Sequence, residues 1–189
     1  MDDIQKRRKR VSFALTVAGI GFLSIFLYIW LHELGHAIVL WSVGADITEF
    51  SIFEAHVLYA GGNWTDMSDL WMHLNGMLLP VIVSFIWMLL YRRGIRNRVY
   101  RIFSVFEVIV PLSSALAWVV IPFLYVQGLA PADDDVTKFL YNITFDYPAW
   151  TVSLVALLVL ALCISLAIKK GIFQNMAEEI RQVRQTPLG

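Results

Sequence analysis

Four stretches of this chain stay apolar for about 20 residues or more, the length a helix needs to cross a bilayer core of roughly 30 Å. They run from Val11 to Leu31, Leu70 to Tyr91, Val99 to Val126 and Pro148 to Ile168. In lipid every backbone polar group must be satisfied within the segment, so each run is expected to be a helix. The first should continue through His36 to about Trp41, because no proline or glycine pair interrupts it. Between the first two runs the pattern changes. Asp46-Ile47-Thr48-Glu49-Phe50-Ser51-Ile52-Phe53 alternates polar and apolar residues as a half-buried strand does, and Gly61-Gly62 marks a turn. A short β-hairpin or re-entrant loop packed against the helices fits this segment better than a fifth span. After the last run, Ile172, Phe173, Met176, Ile180 and Val183 fall roughly on one helical face. That face suggests an interfacial amphipathic helix or a frayed end. The predicted fold is an all-α membrane protein of one domain, residues 1–189. Its four transmembrane helices lie at about 11–41, 70–91, 99–126 and 148–168, followed by a tail from 170 to 189.

Composition supports that solvent assignment. Of the 189 residues, 58% are hydrophobic and only 16% charged, with a mean hydropathy of +0.65. A water-soluble domain of this size carries more charge on its surface. The formal net charge of zero hides an uneven distribution. Lys and Arg occupy the N-terminal tail (Lys6 to Arg10), the Arg92 to Arg101 loop and the tail from Lys169 onward, three alternate extramembrane segments. Only Lys138 lies in the other two segments, so fourteen of the fifteen basic residues obey the positive-inside rule under one topology. That topology puts both termini in the cytoplasm and the protein in a membrane, most simply the cell membrane. The basic cluster before the first run imitates a signal peptide. The run is too long for one and lacks a small-residue cleavage site, so a retained anchor helix is expected. The single cysteine, Cys163, excludes an intramolecular disulfide and a Cys-rich zinc site, and reads as a small buried hydrophobe. Asn63-Trp64-Thr65 and Asn142-Ile143-Thr144 are sequons on the predicted outer side; tripeptides this short carry little weight.

Candidate chemistry gathers at the end of the first run. His32 and His36 are four residues apart on one helix face, so their rings can converge on one ion. Glu33 points part of the way round the helix, towards where water on that ion would sit. This is the HExxH arrangement of zinc peptidases, with glutamate as general base. Ionisable groups in or beside a span are costly, which favours a functional role over a decorative one. A third ligand has six candidates: Asp133, Asp134, Asp135, Glu107, His56 and His73. The first helix rises roughly 33 Å from Val11 to His32, which brings the histidines level with the three aspartates that follow the third span. Glu107 lies too near the opposite side. The aspartates also fit a helix N-terminus, where carboxylates cap free amides, so one can face the ion while a neighbour caps.

From Leu27 to Trp150 the chain resembles the site-2 protease family of intramembrane zinc metallopeptidases, particularly its smaller bacterial-type members. His32-Glu33-Leu34-Gly35-His36-Ala37 matches that family's HELGHA signature. Gly61-Gly62-Asn63-Trp64 looks like the glycine pair after its strand-containing loop, and Leu74-Asn75-Gly76-Met77-Leu78-Leu79-Pro80 is similar to the segment opening its next span. The resemblance implies an aspartate as third ligand, with apolar residues four and five positions on. Asp135, followed by Phe139 and Leu140, fits best, and Asp134 comes second. Val136 stands where the family has glycine, and no Asn-Pro stretch precedes the aspartates. Asn75 or His73 could donate to an oxyanion in its place, although packing between helices is the commoner use of such residues. The expectation is a membrane-embedded zinc metalloendopeptidase, with Zn2+ on His32, His36 and Asp135 and Glu33 as the catalytic base. Its partners would be the lipid bilayer and a membrane-protein or peptide substrate, with no nucleic acid. The alternative is a catalytically silent relative that binds membrane proteins or metal.

Overall fold

A computed structural model describes residues 3–143 and 147–185. Six helices and one hairpin follow in the order α1 (Asp3–Ser42), β1 (Ala45–Ser51), β2 (His56–Gly61), α2 (Asp66–Leu90), α3 (Arg98–Val126), α4 (Asp135–Asn142), α5 (Trp150–Lys170) and α6 (Ile172–Gln185). The fold is all-α apart from the antiparallel hairpin after the first helix. Helices α1, α2, α3 and α5 are long and apolar enough to cross a membrane, as the four runs predict. Large side chains such as Phe22, Leu116 and Leu158 point outward from them, which suits a surface facing lipid rather than water.

Helix boundaries depart from the apolar runs where local chemistry extends them. Helix α1 takes in the basic cluster and reaches 40 residues. Helix α2 begins at Asp66, because Thr65 and Ser68 form a reciprocal capping box there. In the hairpin, the register slips between Ile47 and Glu49, so the predicted alternation ends halfway along β1 and Phe50 turns outward. The turn spans residues 52–55. Gly61 and Gly62 make the turn expected of them by bending the chain out of β2 at φ of 71° and 98°.

Helix α3 runs through the middle of the bundle. Met88, Val105, Val108, Leu160, Cys163 and Ile172 join α2, α3, α5 and α6 in the main core, and Cys163 is indeed buried there. A second cluster, with Val39, Leu40, Ala45 and Met72, seats the hairpin on α1 and α2. In a third, Val136 and Leu140 of α4 pack on Trp118, Ile121 and Ala156. Helix α6 is a docked helix rather than a frayed end. Asn175 donates to the Tyr91 hydroxyl at 2.6 Å. Arg101 Nη1 donates to Glu179 Oε1 at 2.9 Å, both side chains being almost fully buried.

Candidate metal centre

Helix α1 carries His32 and His36 one turn apart on the face it turns towards α2 and Asp135, with Glu33 part of the way round the helix beside them. The two helices approach closely because of two glycines. A Cβ on Gly35 would overlap the Asn75 carbonyl oxygen, and one on Gly76 would stand 2.5 Å from His36 Nε2 and 2.9 Å from His32 Cε1. The Asn75 amide donates to the Gly35 carbonyl at 2.7 Å, locking the crossing. Asn75 therefore serves packing, and its amide is not turned to the cleft as an oxyanion donor.

Across the cleft, Pro131 to Asp134 lead into α4. Asp134 caps that helix, its carboxylate accepting from the Val136 amide at 2.8 Å. Capping fixes the next residue's direction, and Asp135 turns back towards α1. Asp135 Oδ2 lies 3.3 Å from His32 Nε2 and 3.3 Å from His36 Nε2, and the two Nε2 atoms are 3.2 Å apart. Three donor atoms thus form a nearly equilateral triangle. Val136 is buried beneath α4 and leaves the Asp135 carboxylate clear.

The far nitrogens of both rings are also engaged. His36 Nδ1 lies 2.7 Å from the Met72 carbonyl oxygen. A carbonyl only accepts, so Nδ1 carries a hydrogen, which leaves Nε2 as the ring atom that faces Asp135 and that would offer a lone pair to a metal once the ring is neutral. His32 Nδ1 lies 3.4 Å from the Tyr28 hydroxyl, which itself donates to Ser114 Oγ at 2.5 Å. Burial would raise the Asp135 carboxyl, but hydrogen bonds with His32, His36 and His73 outweigh it and hold it well below the usual carboxylate range. Asp135 is accordingly a carboxylate, the form that ligates.

The triangle opens into a cleft of about 590 Å³ whose walls include Tyr28, Glu33, His56, Tyr59, Ser114 and Lys138. Glu33 is only 2% exposed and within electrostatic reach of His32, His36, Asp135 and His56. His73, on α2, touches Asp135 from the side away from α1, Nδ1 to Oδ1 at 3.5 Å. His56 lies on the hairpin between the carboxylates of Glu49 and Glu54, at 3.2 and 3.6 Å through different ring nitrogens, beside the cleft and apart from the His32, His36 and Asp135 triangle. Asp133 stays on the rim. Glu107 is buried in α3 away from the cleft, and Ser84 donates to its backbone oxygen. Sequence reasoning passed over Tyr28 and Ser114; the one available signal was that Tyr28 precedes His32 by a helical turn. Thr144, which completes the second sequon, lies outside the described residues. Comparison with models of known protein families, with curated proteins and with solved structures finds no match.

Proposed function

We propose that this protein is a membrane-embedded zinc metallopeptidase that hydrolyses a peptide bond in or beside the membrane, as its resemblance to the site-2 protease family implies. One observation carries the reading. The His32, His36 and Asp135 donor atoms stand 3.2–3.3 Å apart. Zinc bonds of about 2.0–2.1 Å in a tetrahedron put neighbouring ligand atoms about 3.3–3.4 Å apart. Two neutral imidazoles and a carboxylate are also the donor set of catalytic zinc, with a fourth position left open. Bound there, zinc would act as a Lewis acid on the scissile carbonyl and lower the pKa of water to about 7.

The chain's own groups do the rest. Glu33 takes a proton from the attacking water and returns it to the departing amine, its position beside the triangle suiting both transfers. Tyr28 and Met72 hold the ring nitrogens that face away from the substrate. A substrate strand adds to the hairpin, whose β2 residues His56, Val57 and Tyr59 line the cleft where the Asp46–Phe53 segment does not, and offers its carbonyls there. A substrate helix has to unwind first, since its carbonyls are otherwise committed to its own backbone. The arrangement of basic residues supports cytoplasmic termini in the cell membrane, with the cleft at the outer side.

The test compares wild type and Glu33→Gln, purified in detergent, for zinc content and for cleavage of candidate membrane-protein substrates. Both should carry one zinc, and Glu33→Gln should cleave about 10²–10⁴-fold more slowly. Equal cleavage rates would reject the role given to Glu33. A wild-type protein that takes up no zinc would reject the centre altogether.

A further inference from the structure

Helix α4 is pinned to α2 at both ends by polar side chains one helical turn apart on α2. At its first residue, Asp135 Oδ1 meets His73 Nδ1 at 3.5 Å. At its last, Asn142 donates from its amide to Asp69 Oδ2. Asp69 and His73 are themselves linked, Oδ1 to Nε2 at 4.0 Å. The Asp135 carboxylate is thus divided. Oδ2 faces both imidazoles of α1, and Oδ1 is occupied by α2. We infer that His73 is a positioning residue for the metal centre: by holding Oδ1 it fixes the rotation of the Asp135 carboxylate and presents Oδ2 alone to the ion.

Two features argue for this role over ligation or substrate contact. Both ring nitrogens of His73 face carboxylates, Nδ1 that of Asp135 at 3.5 Å and Nε2 that of Asp69 at 4.0 Å, so the ring lies between the two acids. It also meets Asp135 at Oδ1, the oxygen that the imidazoles of α1 leave free, since both His32 Nε2 and His36 Nε2 face Oδ2. The physical basis is general. A ligating carboxylate free to turn exchanges oxygens and pays ordering entropy on binding, and the partner that orders it in advance commonly contributes 10–100-fold in metal affinity. The inference rests on the zinc reading above, and its test separates the two.

Zinc affinity is measured by chelator competition on the purified full-length protein and its His73→Phe, His73→Asn and His73→Gln variants, with circular dichroism to confirm the helical fold. His73→Phe should weaken zinc about 10–100-fold. His73→Asn should recover most of that loss, because the asparagine amide takes the place of Nδ1. His73→Gln, whose amide falls nearer the place of Nε2, should not. Selective rescue is something a space-filling role for the ring would not produce. Wild-type affinity in His73→Phe, or equal weakening in Asn and Gln variants, overturns the positioning role and leaves the zinc centre standing. A wild type that binds no zinc overturns both.

Discussion

Two glycines decide whether the imidazoles can meet. Gly76 lies flat against both rings, and a methyl group there would press on His36 Nε2, the atom that completes the triangle. Gly76→Ala should therefore lose most of its zinc while keeping its helical circular dichroism; zinc retained at wild-type affinity would show that the rings can yield. Gly35→Ala meets backbone rather than side chain, so relief requires α1 and α2 to part. A lower unfolding temperature in detergent is expected, with a stability loss of about 1–3 kcal/mol. At this scale the sequence was informative where spacing alone fixes direction. His32 and His36 share a face because they are four apart on a helix. The aspartates were harder, since three in a row point in three directions. What selects Asp135 is the cap made by Asp134, an event that depends on where α4 begins. Tyr28 and Ser114 escaped notice because their significance comes from the α1–α3 contact, a distance of 86 residues in sequence.

Among the elements, those long enough to need lipid were legible, and so was the hairpin in outline, whereas the short helix α4 was not. A run of about 20 apolar residues has few alternatives to a helix. Helix α4 has eight residues, too few for a period to emerge, and it owes its existence to one cap and two buried side chains, Val136 and Leu140. The bulge in β1 was equally invisible, because the polar–apolar alternation continues in sequence after the register has slipped. Helix α6 showed its apolar face, but not the ion pair that docks it. Arg101 and Glu179 are 7% and 5% exposed, and removing one leaves the other charge buried without its main partner. Glu179→Ala should cost about 3–5 kcal/mol, whereas replacing both, as in Arg101→Met with Glu179→Leu, should recover much of that. Denaturation in detergent micelles measures this, and a Glu179→Ala protein as stable as wild type would show that α6 is held by its apolar face alone.

For the whole molecule, the arrangement of charge makes a prediction that is independent of the chemistry. In a Cys163→Ala background, a membrane-impermeant maleimide applied to intact cells should label Asn63→Cys. It should label Arg8→Cys only after permeabilisation. The reverse pattern would invert the proposed orientation. The length of α1 then acquires a further meaning. Its 40 residues extend about 60 Å, roughly twice the hydrocarbon thickness, with the basic cluster at one end and the HExxH turn near the other. Arg98 stacks over Phe13 at 5.7 Å from the ring centre and ties the lower part of this helix to the bundle. In the proposed orientation such a helix would hold the proposed metal centre at the leaflet remote from the cytoplasm. The ion would then have to be acquired from outside the cell rather than from the cytosolic pool. EDTA added to sealed right-side-out vesicles should strip it, and the same chelator outside inverted vesicles should leave it in place.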